Sequence, residues 1–215
     1  MELRDFVSRW GEPIDPVAVP EDYLAEYGER LPGLALALWR ELGFAGFGAG
    51  LLWSCDPHRW QPIVDAWLAG AALPAGYAGE AIPLLRTAYG KIYCFLPGLG
   101  QRLIINPVLS KVTVRRPNPI AGPAGIDREM DSVLRHPRGT YLLDADPPEY
   151  GDDPQEDLFE RITAGSGHLT ASTVYSFAPR VQEGGTIRAE YATVVDAAAE
   201  LHALRALGPP RVAHL

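Results

Sequence analysis

The residues whose types could do chemistry are scattered along this chain, with one exception. Asp144, Asp146, Glu149, Asp152, Asp153, Glu156, Asp157 and Glu160 put eight carboxylates and no base within 17 positions. Carboxylates so crowded repel one another and oppose compact folding unless they are screened or matched. Such a run is read either as a solvated loop and helix start or as a docking face for a basic protein, where charge speeds encounter and sets specificity. The docking candidates are Asp144, Asp146, Glu149, Tyr150, Asp152, Asp153, Glu156 and Asp157, with Tyr150 as an aromatic anchor. Paired carboxylates can also act as acid and base or hold a cation. The spacing does not match an EF-hand loop, however, and no polar cluster elsewhere supplies a substrate pocket.

The remaining candidates point away from catalysis. His58, His136, His168, His202 and His214 are far apart and form no HExxH pattern, so no metal site is assigned. Ser166 lies in AGSGH, which lacks the first glycine of a nucleophile elbow and has no strand before it. Gly46, Gly48 and Gly50 follow a helix and precede a strand, the reverse of a dinucleotide-binding loop, and are read as a tight turn. Cys55 and Cys94 lack CxxC spacing, sit in apolar strand contexts and read as core thiols in a reducing compartment. The expectation is a non-enzyme without cofactor, metal or catalytic residue.

The elements that must position these residues follow from periodicity and punctuation. Helices are expected over residues 2–10, 20–31 and 32–42, the last with Leu34, Leu38 and Trp39 on its apolar stripe and Gly43 after its end. Residues 50–54 read as a short buried strand. Asp56-Pro57 should cap a helix reaching about Leu68, with Trp60, Ile63, Val64 and Trp67 on one face. Four strands are expected at residues 82–87, 91–96, 102–106 and 111–115. Beyond them come helices at 126–135 and from Asp152 to about Ala164, a strand at 173–177, and a terminal helix at 193–207 closed by Gly208 and two prolines, with His214 in a fraying end.

Helices followed by a strand meander indicate an α+β fold, with helices packed on an antiparallel sheet in two small domains. The Pro/Gly-rich run from Arg115 to Gly125 supplies the boundary, giving domains 1–118 and 119–215. Charge divides there too. Residues 1–118 hold 11 Lys+Arg and 12 Asp+Glu, net −1, whereas 119–215 hold 8 and 15, net −7, and together they give −8. With that balance a phosphate-neutralising nucleic-acid binder is not expected, and a basic partner is. The opening MELRDF is not a secretory signal, and the longest uncharged apolar stretches, 42–55 and 66–79, are 14 residues each. Those are shorter than the roughly 18 residues a bilayer span needs, so a cytoplasmic protein without membrane contact is expected.

Two stretches carry a family resemblance. Leu31-Pro32, Leu38-Trp39, Gly43-Phe44, Gly50, Leu52-Trp53 and Pro57, followed by RTAYGKIY at 86–93, resemble the GAD-like domain of bacterial immunity proteins over roughly residues 15–115. Leu158-Phe159, Gly167, Leu169, Tyr175, Phe177, Pro179, Gly184-Gly185 and the ending ELHALRAL resemble the C-terminal domain that commonly follows it. The resemblance implies a type VI secretion immunity protein whose partner is a cognate antibacterial DNase toxin, blocked or distorted at its active site. The alternatives are a cytoplasmic adaptor or regulator and a metal-dependent enzyme with a pocket between the domains.

Overall fold

The computed structural model describes residues 3–75, 77, 81–116 and 158–215. The chain opens with α1 (Leu3–Trp10), whose Phe6 and Trp10 lie one turn apart and are both buried. A short strand β1 (Ile14–Val17) leads into α2 (Glu21–Tyr27) and α3 (Gly33–Leu42). Next come β2 (Phe44–Phe47), a tight 3-10 turn at Gly48–Gly50, β3 (Leu52–Ser54) and α4 (Pro57–Leu68). The Asp56 side chain accepts from the His58 N–H at 3.0 Å, so α4 starts where an Asx cap followed by Pro at the first helical position requires it.

A meander follows: β4 (Ile82–Thr87), β5 (Ile92–Leu96), β6 (Gly100–Asn106) and β7 (Lys111–Val114). Residues 158–215 add α5 (Leu158–Ser166), β8 (Thr173–Phe177), β9 (Ala192–Asp196), α6 (Ala197–Ala206) and β10 (Arg211–His214). One eight-stranded sheet runs β1-β2-β3-β4-β5-β6-β7-β10, while β8 and β9 form a separate antiparallel ribbon. Every neighbouring pair in the large sheet is antiparallel except β7 and β10, which run parallel. The fold is α+β.

The central strands read as unbroken buried runs because both faces of the sheet are covered. On one face Ile92, Cys94, Leu96, Leu103, Ile105, Val112 and Val114 pack with Trp60, Val64 and Trp67 of α4 and with Leu201 and Leu204 of α6. On the other, Tyr93, Phe95 and Ile104 join Phe6, Trp10, Trp39, Phe47 and Trp53, together with Leu158, Phe159 and Ile162 of α5. Side chains from either side of the expected boundary at residue 118 thus share both clusters, while the boundary itself lies outside the described residues.

Several local expectations are corrected. The terminal helix does not run from Thr193. Thr193, Val194 and Val195 pair with Ser176, Tyr175 and Val174, as β-branched residues on a half-buried ribbon prefer, and the helix begins only where Asp196 accepts from the Ala199 N–H at 2.9 Å. His214 does not fray but pairs with Val114 in β10. Strands β1, β2 and β10 were not expected, being four residues each and too short to show a period. α2 stops at Tyr27, short of Leu31. The expected helix at 126–135 and the helix start at Asp152 lie outside the described residues.

Gly43 ends α3 with φ of 73° and donates its N–H to the Trp39 carbonyl at 2.9 Å. A Cβ there would run into the Val17 carbonyl oxygen of β1. Gly43→Ala is therefore expected to lower stability by about 3 kcal/mol, through left-handed strain and a backbone clash together. Urea unfolding measures it, and a loss below about 0.5 kcal/mol would show that β1 yields freely.

Candidate functional site

The carboxylates singled out in the sequence, Asp144, Asp146, Glu149, Asp152, Asp153, Glu156 and Asp157, and Tyr150 with them, lie outside the described residues. Glu160 is described and stands exposed in the first turn of α5. Among the described residues no group of three or more His, Cys, Asp or Glu is placed to hold a metal ion. Cys55 and Cys94 are free thiols, both fully buried. Ser166 ends α5 and donates its hydroxyl to the Ala192 carbonyl at 2.7 Å, tying α5 to β9.

Two arrangements stand out from the packed background. The first is an exposed acidic and aromatic face where α2 meets the start of α4. His58 Nε2 lies 3.0 Å from Glu26 Oε2, with both side chains about half exposed. The Tyr23 ring lies against the His58 ring at 4.1 Å between centroids, tilted by 40°, and Tyr27 lies 6.2 Å from it. Partial desolvation and, after it, the charges of Asp56, Asp22 and Glu26 raise the Tyr23 hydroxyl pKa. This face can present carboxylates beside a half-exposed aromatic ring, a composition that suits a basic protein surface.

The second arrangement joins the large sheet to residues 158–215. Arg86 on β4 is fully buried, its guanidinium 5.0 Å from the Trp53 ring and 4.9 Å from the Trp60 ring. One terminal nitrogen donates to the Thr170 and Ala171 carbonyls at 3.0 and 3.1 Å. A shallow crevice is lined by Tyr89, Val108, Phe177, Leu201 and Leu204. At its rim Arg180 makes a two-point contact with Glu200, at 3.1 and 2.7 Å, and the Ser176 hydroxyl donates to the same carboxylate at 2.6 Å. With Glu200 only 8% exposed, that double contact satisfies a charge the interior would otherwise penalise.

A family model for the GAD-like domain matches residues 2–109, half of the sequence, and takes in α1 through β6 with Arg86 and the Tyr23–His58 face. The chain belongs to the GAD-like domain family. The GAD-like chain is also similar to the crystal structure of Atu4351 from Agrobacterium tumefaciens, with a TM-score of 0.80 and 22% sequence identity. That match covers 99% of this chain and 92% of the other, so the shared fold extends beyond the GAD-like region through the C-terminal elements. A search of curated proteins finds no match.

Sequence reasoning placed Trp60, Trp67, the Asp56 cap and the motif containing Arg86 in the GAD-like domain but gave Arg86, His58 and Glu200 no role. A lone arginine in a strand carries no pattern, and its partners, two tryptophans and two carbonyls, come from distant positions. His58 stands alone in the sequence, since Glu26 and Tyr23 are 32 and 35 residues away.

Burial also fixes how the GAD-like chain responds to alkali. Desolvation pushes the Cys55 thiol up from 9.0 to about 12 and raises Cys94 as well, and it raises the Tyr27 hydroxyl from 10.0 to about 12. Such groups keep their protons longer folded than unfolded, so their contribution is whole below pH 9 and is lost as pH rises toward 12. Arg86 opposes this: burial lowers it to about 10, so its desolvation cost is relieved between that pH and 12.5. The denaturation midpoint is expected to hold up to about pH 9 and fall above it, since several thiols and phenols outweigh one guanidinium. A midpoint that rises between pH 9 and 11 would contradict this assignment.

Proposed function

We propose that this chain is an immunity protein that binds a cognate type VI secreted antibacterial DNase one to one and neutralises it by blocking or distorting its active site. The observation that carries the reading is membership of the GAD-like domain family, together with the resemblance of both halves to immunity proteins. The net charge of −8 supports it, because a DNase must offer a basic cleft to a polyanion and an acidic protein can occupy or flank that cleft. Within this reading the chain acts in the cytoplasm as a binding protein, without catalysis, cofactor or direct nucleic-acid contact. Among the described residues no helix is long and apolar enough to cross a membrane.

The proposed docking face is Asp144, Asp146, Glu149, Tyr150, Asp152, Asp153, Glu156 and Asp157, with Tyr150 as anchor. A few free toxin molecules suffice to cut a chromosome, so the binding free energy should be on the order of −12 kcal/mol or stronger. Charge alone mainly accelerates association, so such affinity also needs a packed anchor. Reversing Asp152, Asp153, Glu156 and Asp157 to lysine is expected to slow association with the nuclease encoded beside this gene and to flatten its salt dependence. If affinity and salt dependence are both unchanged, the docking face is elsewhere.

A further inference from the structure

We draw no further inference here: the strongest candidate, the exposed acidic and aromatic face where α2 meets the start of α4 and the Glu26–His58 pair lies against Tyr23, belongs to the site already described, and nothing in the structure shows what covers it.

Discussion

Arg86→Ala is expected to cost about 4 kcal/mol of stability, the largest loss of any single side chain described above. Truncation does three things at once. It empties the space between Trp53 and Trp60, removes two aromatic contacts with a cation, and leaves the Thr170 and Ala171 carbonyls without their donor. For a chain of this length that loss corresponds to roughly 8–16 °C in melting temperature. Among the described residues the guanidinium contacts carbonyl dipoles and ring faces and no carboxylate, and desolvation by burial lowers its pKa to about 10. It remains charged at neutral pH. Arg86→Met should cost less than Arg86→Ala, because it refills the volume and removes the buried charge itself. Thermal and urea unfolding of both variants measures the order, and an alanine variant within about 1 kcal/mol of the parent would show that the clasp is incidental.

The second large effect concerns the halves of the chain. A fragment ending at residue 116 should not melt cooperatively, and the intact protein should show one transition. Leu158, Phe159, Ile162, Leu169, Tyr175, Phe177 and Ile187 fill one cluster, and Val174, Leu201 and Leu204 the other. Removing them uncovers the apolar surfaces of the remaining sheet at about 1.5–3 kcal/mol per large side chain lost, well beyond the 5–15 kcal/mol that holds a typical domain folded. Specific bonds across the junction would go too: Trp67 Nε1 to the Leu201 carbonyl at 3.1 Å, Arg205 to the carbonyls of Ala66 and Ala69, and the Tyr175 N–H to the Ala88 carbonyl at 2.9 Å. Calorimetry of the whole chain and circular dichroism of the fragment test this together. Two resolved transitions, or a fragment with a sharp melt of its own, would show instead that the sheet is self-sufficient.

The elements easiest to read from the sequence were those whose signal is local. The Asp56-Pro57 cap, the Trp60 to Trp67 stripe and the β4 to β7 meander rest on spacing within a dozen residues, and each is found in place. What was illegible depends on partners far away in sequence. β10 is a strand only because β7 offers an edge about 100 residues earlier, and Thr193–Asp196 is a strand because β8 pairs with it more favourably than a helix would. The same limit applies to function. The acidic stretch was conspicuous as composition, whereas the Arg86 clasp became visible only once Trp53, Trp60 and the Thr170 and Ala171 carbonyls were brought around one guanidinium.

The most direct test of the immunity reading is survival of bacteria that express the nuclease encoded beside this gene, with and without this protein, together with size-exclusion chromatography of the mixed pair. Rescue by the parent chain and a stable one-to-one complex are the results expected. Death of the cells with both proteins folded and eluting separately would contradict the pairing and remove DNase neutralisation as the function of this chain.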